Sequence, residues 1–245
     1  VELLVLTLAA LLPSNTQEHH ESTLRPLRLA VIVPAHNEEA HIGPCVRNIL
    51  ATDPESVQVF VVAHNCIDST ILEAKRAGAR VLVLDDLAHI GKGYALHHGF
   101  ATAIAEGFEG ALVIDADSLI TPNLIQAVQH KFMFGAKALQ CRYEIQNSTS
   151  SRAQLMQMAF WGFNVVRPRG RERLGISAGL FGNGFGLRTD VLNRLPYTAH
   201  STTEDLEYHL MLVCTGFRVE FIETASVLSE APRSDTGTTT QRARW

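Results

Sequence analysis

The chain has 245 residues, 46% of them hydrophobic and 19% charged, with 21 lysines and arginines against 25 acidic side chains and a formal net charge of −4. That composition excludes an intrinsically disordered chain, and the acidic balance argues against a nucleic-acid partner held through its phosphates. Four cysteines at irregular spacing (Cys45, Cys66, Cys141, Cys214), with no C-x-x-C, exclude a disulfide-stapled scaffold and read as reduced thiols in an intracellular chain.

The first twelve residues, VELLVLTLAALL, are apolar. At about 1.5 Å per residue they would span ~18 Å as a helix, short of a ~30 Å bilayer core. Two readings follow: the stub of a transmembrane helix cut by the fragment boundary, or an apolar helix packed on the domain. No basic n-region or cleavage site marks a signal peptide. Residues 13–26, polar after Pro13, read as a linker leading into water, and everything beyond is expected to be soluble.

From residue 27 onward, short apolar runs alternate with helical windows. The runs 27–34, 57–63, 79–84 and 110–115 are continuous rather than alternating, as strands buried on both faces require. Helices are expected over 38–52, 68–77, 93–106 and 122–134. Asn37 is the expected N-cap of the first, with Glu38 and Glu39 in its opening turn. Pro44 predicts a kink or a late start there, and Pro122 marks the start of the fourth helix. This alternation specifies a doubly wound α/β sheet. Beyond Lys137 the expected elements are a strand at 138–145, an apolar helix at 153–166, a glycine-rich strand or loop at 181–188, a helix at 203–214 and a strand at 217–222. Met156, Phe160 and Phe163 share a face of the apolar helix, as core or as a membrane-facing stripe.

Ligands of open parallel sheets bind beyond the carboxyl ends of the strands. Three polar clusters stand there: Pro34 to Glu38, His64 to Asp68, and Asp115 to Ser118. Asp115 and Asp117, two apart, can face the same way. Together they offer hard oxygen ligands to Mg²⁺ or Mn²⁺, although a solvated turn or the strand-end D-x-D of a haloacid-dehalogenase-type phosphatase fits the same residues. Gly91-Lys92-Gly93 sets a lysine at a helix start, suited to a diphosphate but without P-loop spacing. Glu204 and Asp205 after Thr203 are either dipole partners of a first turn or a source of a general base. Gln241, Arg242, Arg244 and Trp245 form a polar, aromatic terminus, a sugar platform or a frayed tail.

In order, VIVPAHNEE, GKG, DADS, GNG, TED and QRARW resemble the family 2 glycosyltransferases. The likeness is greatest to the membrane-embedded polysaccharide synthases that make cellulose, hyaluronan and chitin, and it runs from about residue 29 to 245. The resemblance implies a GT-A fold, with a mostly parallel central sheet flanked by helices, in one catalytic domain over 27–245 that is truncated at its C-terminus. It implies an inverting, metal-dependent transfer from a nucleotide-diphosphate sugar, UDP-linked, to a saccharide or lipid-linked acceptor. It also implies membrane association, with the domain on the cytoplasmic face.

By the same likeness Pro34, His36, Glu38, His64, Lys92 and Asp115 would line the nucleotide site, and Asp117 would hold the metal. Asp205 would be the general base. Gly182, Asn183, Gly184, Glu204, Gln241, Arg244 and Trp245 would lie toward the acceptor and diphosphate. Three positions depart from the pattern: Ala63-His64 replaces paired aspartates, His36 stands where tyrosine is frequent, and Ser118 follows the D-x-D. His64 reads as a base contact or as a plain surface histidine. Arg167, Arg169, Arg171 and Arg173 suit anionic lipid, an acidic acceptor or a solvated face. Two alternatives stand beside the transferase: a phosphate hydrolase using Asp115 as nucleophile, and a non-catalytic nucleotide-binding subunit.

Overall fold

The structure, a computed structural model, describes residues 1–13, 27–53, 55–146 and 151–230. The four continuous apolar runs become β1 (Leu29–Ala35), β2 (Val57–His64), β3 (Arg80–Leu84) and β4 (Gly110–Val113). They pair in parallel, with Leu29 opposite both Val57 and Gly110. Every residue of β1 is buried, because side chains alternate between two covered faces. Leu29, Val31 and Val33 join one core layer, with Ile42, Ile49 and Val128; Ala30 and Ile32 join the other, with Leu96, Phe100 and Tyr208.

The connecting helices are α2 (Ile42–Leu50), α3 (Thr70–Arg76) and α4 (Lys92–Ala105). A Cβ on Gly99 of α4 would stand 2.5 Å from Ile32 Cγ2, so glycine lets this helix seat on β1. The sheet continues past β4 with β7 (Phe185–Arg188), β6 (Ala138–Gln146), β8 (Val219–Glu230) and β5 (Ser118–Ile120), in the order β3-β2-β1-β4-β7-β6-β8-β5. Here it turns mixed: β7 is antiparallel to β4 and β6, β8 is parallel to β6, and β5 is antiparallel to β8. Between Cys141 and Arg142 the register on β8 jumps from Ile222 to Ser226, a bulge that bends the long strand.

Several local expectations are corrected. Helix α2 begins at Ile42 rather than residue 38, the late start that Pro44 predicts, and Pro44 falls in its opening turn, where a missing N–H removes no helix bond. Asn37 is not its cap: it sits at φ 54° and its Oδ1 accepts a hydrogen bond from the Ile67 amide. Helix α5 (Leu124–Met133) starts after Asn123, not at Pro122. The apolar helix is α6 (Ser151–Trp161), which runs through a π-helical turn (Gly162–Val166) into α7 (Arg167–Arg173). On it Phe160 meets Tyr143 edge to face, while Phe163 is 60% exposed, so one shared core stripe does not form. The side chain of Met156 lies outside the described residues. Strand β5, helix α8 (Thr189–Arg194) and the extension of the last strand to Glu230 were not expected.

The N-terminal run forms α1 (Glu2–Ala9), which packs on α7 with Leu6 and Ala9 buried. A Cβ on Gly170 would meet the Leu6 carbonyl oxygen at 2.1 Å, so the two backbones touch. The arginines of α7 are consumed in this packing. Arg167 and Arg171 reach Glu2, whereas Arg169 and Arg173 reach Glu223. Each of the four is thus paired with an acidic side chain and is not part of a plain solvated face. Leu3, Leu4, Leu8 and Leu11 remain outward. Among the described residues, no helix is long and apolar enough to cross a membrane.

Candidate active site

The carboxyl ends of β1 and β4, Tyr143 of β6, the start of α4 and the start of α9 (Glu204–Cys214) surround a cleft of about 670 Å³. Pro34, Glu38, Lys92, Asp115, Asp117 and Glu204 line it. Six side chains spread over 170 residues of sequence therefore converge.

Lys92 is the hinge of the site. Its Nζ lies 2.5 Å from Asp115 Oδ1 and donates to the Gly182 carbonyl oxygen at 2.6 Å. Burial works against its charge, yet the Asp115 carboxylate beside it prevails and holds its pKa above the usual lysine value. The flanking glycines explain themselves. Gly91 adopts φ 137°, and a Cβ on Gly93 would stand 2.2 Å from the Ala199 carbonyl oxygen. The helix start is thereby pressed against the loop that carries His200, Ser201 and Thr202 into the cleft.

Gly182, at φ 74°, lets a third group approach: the position of a Cβ there is 3.4 Å from Asp205 Oδ2 and 3.8 Å from Lys92 Nζ. Asp205 thus borders the Lys92–Asp115 pair. Glu204 lines the cleft, and burial raises its pKa although Lys92 pulls it down. Asp117 is half-buried, with Ser118 Oγ 3.4 Å from its Oδ1. Among the described residues no group of three or more His, Cys, Asp or Glu is gathered around a point. The donors at hand are carboxylate oxygens of the D-x-D, hard ligands that leave most positions to water and phosphate. That donor set fits Mg²⁺ or Mn²⁺ and does not fit a metal caged wholly by protein.

Four expected site residues, Asn183, His64, His36 and Gly184, are not among those lining the cleft. Asn183 is 1% exposed, so it does not present its side chain to an acceptor. Instead its Oδ1 accepts from the Asp115 amide at 3.1 Å and its Nδ2 donates to Ser118 Oγ at 2.9 Å. His64 is no surface histidine: it is 1% exposed, and burial lowers its pKa, partly offset by the backbone of Asp86, His89 and Gly91. Its carbonyl oxygen accepts from His36 Nδ1 at 2.8 Å, which draws His36 against β2 rather than into the cleft lining. Gly184, at φ 69°, packs on Val227. Gln241, Arg244 and Trp245 lie outside the described residues.

Sequence reasoning missed Tyr143, Ile90, His200, Ser201 and Thr202, all of which line the cleft. Tyr143 lay in an unremarkable strand. The other four flank GKG and TED, and the crowding of Gly93 against Ala199 was the missing clue to their meeting.

The family described as "Glycosyltransferase like family 2" matches residues 26–245. No curated protein sequence matches the chain. Among solved structures, a mannosyltransferase from Pyrobaculum calidifontis in complex with GDP-Man and Mn²⁺ is similar over 99% of this chain and 68% of its own, at TM-score 0.72 and 19% identity. Glucosyl-3-phosphoglycerate synthase from Mycobacterium tuberculosis, in complex with Mn²⁺, UDP and phosphoglyceric acid, is similar over 89% of this chain and 75% of its own (TM-score 0.59, 18% identity). Mannosyl-3-phosphoglycerate synthase from Rubrobacter xylanophilus is similar over 89% and 71% (TM-score 0.61, 17% identity). At these identities the likeness is one of fold, the GT-A fold.

Proposed function

This chain belongs to glycosyltransferase family 2 and is a glycosyltransferase, and from that premise we propose that it transfers a glycosyl group with inversion from a UDP-linked sugar to a hydroxyl of a saccharide or lipid-linked acceptor. The observation that carries the proposal is the convergence of Lys92, Asp115, Gly182 and Asp205 beside a cleft at the strand ends. In this reading Lys92 would meet the diphosphate, and Asp115 the ribose. Asp117 would hold a divalent cation, which when bound offsets the charge of the leaving diphosphate. Solved structures of similar fold whose names include a nucleotide also name Mn²⁺ or Mg²⁺, which supports this choice.

Asp205 takes the proton from the acceptor hydroxyl as its oxygen bonds to the anomeric carbon and the bond to the diphosphate oxygen breaks. One displacement, with no carboxylate as nucleophile, inverts the configuration. Asp115, engaged by Lys92, is poorly suited to attack a phosphate ester, and the family match sets the hydrolase alternative aside. Retention of Asp117 and Asp205 favours catalysis over a non-catalytic nucleotide-binding role. The ordered motifs through QRARW favour the polysaccharide-synthase branch.

The test is a screen of nucleotide sugars with Mn²⁺ that follows released nucleoside diphosphate. Asp117→Ala should abolish UDP binding, whereas Asp205→Asn should retain binding and lose turnover. If UDP and Mn²⁺ leave the protein unchanged in calorimetry, the proposal fails. A second arm concerns the outward leucines of α1, which support attachment at the cytoplasmic face of a membrane. Flotation with anionic vesicles, lost in a Leu4→Glu/Leu8→Glu variant, would support it; no flotation of the parent chain would refute it.

A further inference from the structure

Gln140 is a polar side chain with no exposure at all, in the middle strand of the mixed half-sheet. Burying an amide costs free energy unless every group is paired. Here it is paired throughout. Its Nε2 donates to the carbonyl oxygens of Asn183 at 2.8 Å, Cys141 at 2.9 Å and Gly184 at 3.3 Å, and its Oε1 accepts from the Phe181 amide at 2.9 Å. One side chain therefore clasps the F-G-N-G loop at both ends.

The loop passes the constraint on. Asn183, itself buried, holds the Asp115 amide and Ser118 Oγ, the residues at either end of the D-x-D turn. Ser118 is held in turn by Ser229 at 2.9 Å, and Ser229 by the hydroxyl of Tyr143 at 3.1 Å. Between Phe181 and Asn183 lies Gly182, whose carbonyl oxygen receives Lys92. An apolar side chain of similar size would fill the same volume but leave the Phe181 amide and the Asn183 carbonyl without this partner, so what the amide adds is a fixed loop geometry.

We propose that Gln140 and Asn183 form a positioning pair that sets the D-x-D turn and the Lys92 anchor before any substrate arrives. Neither side chain is placed to touch substrate; each acts through Asp115, Asp117 and Lys92. The consequence for metal rests on the proposed function, whereas the consequence for the loop does not.

The experiment follows amide hydrogen exchange of Asp115 in the ligand-free chain by NMR, together with Mn²⁺ uptake measured by loss of the free-ion EPR signal. In Gln140→Met and in Asn183→Ala the Asp115 amide should exchange at least ~10-fold faster, and Mn²⁺ should bind about tenfold more weakly. Val128→Ala, a core change in α5 outside this network, controls for general loss of stability. If Gln140→Met fails to fold, Asn183→Ala decides. Unchanged Asp115 exchange in the folded variants, or an equal rise in Val128→Ala, overturns the proposal. A parent chain that takes up no Mn²⁺ counts against the proposed function and leaves the exchange result to decide this one.

Discussion

Lys92 Nζ stands 2.5 Å from Asp115 Oδ1 although Lys92 opens α4 and Asp115 follows β4, 23 positions apart. Both are largely shielded, so removing one partner strands the other's charge. A double-mutant cycle with Lys92→Met and Asp115→Asn should return a coupling of roughly 1–3 kcal/mol by urea denaturation. Each single variant should be less stable than the pair of changes implies. Additive effects would show that the pair is too well solvated to matter.

Gly93 faces the Ala199 carbonyl oxygen at a distance no Cβ can occupy. Gly93→Ala must push α4 away from the 199–202 loop, at a cost of about 1–3 kcal/mol typical of overpacking. Because α4 begins with Lys92, assigned above to the diphosphate, and the displaced loop lines the same cleft, the donor KM should rise more than the acceptor KM. Steady-state kinetics with the two substrates varied separately would reveal it.

Gly170 bears the same relation to Leu6. Gly170→Ala should lever α1 off α7 and release Glu2 from Arg167 and Arg171. Limited proteolysis should then cut within residues 1–13 several-fold faster, with little change in the mid-point of global unfolding. Equal protection of both chains would sink this account of the N-terminal packing.

Burial lowers the pKa of His64, His200 and His209, with His36, His97 and Arg171 respectively adding charge repulsion. Unfolded, these side chains take up protons near 6.5; folded, they stay neutral to lower pH. The unfolded state therefore binds more protons between 6.5 and the lowered folded values, and stability falls as pH drops through that window. Above about pH 7.5 this contribution is fully present and flat. Urea mid-points at pH 7.5 and 5.5 should differ accordingly, and the difference should shrink in His64→Gln. Equal mid-points would refute the assignment.

The parallel half of the sheet was legible because its strands are buried on both faces and need continuous apolar runs such as 57–63. The mixed half was legible only in part: the runs 138–145, 181–188 and 217–222 become β6, β7 and β8, but their order and directions do not follow from the runs. Strand β5 has three residues, too few for a pattern, and exists because Ser118 to Ile120 find β8. The bulge of β8 broke the run at Glu223 and hid its length. Asn37 looked like a cap by residue type alone, whereas its conformation is set by the Ile67 amide beyond β2.

Asp115 and Asp117 stand out in the sequence because polar groups at the ends of apolar strands have few structural uses, whereas Lys92 and Asp205, at helix starts, stand out only through the order of the motifs. The chemistry proposed for them follows from residue type and motif order. Which of them meet, and what holds them, does not. Gln140 and Asn183 carry no motif that sets them apart as supports, and Asn183 even reads as a substrate contact. Hydrogen bonds across 40 to 90 positions decide their roles. Such bonds depend on burial and relative placement, which exist only once the sheet has assembled.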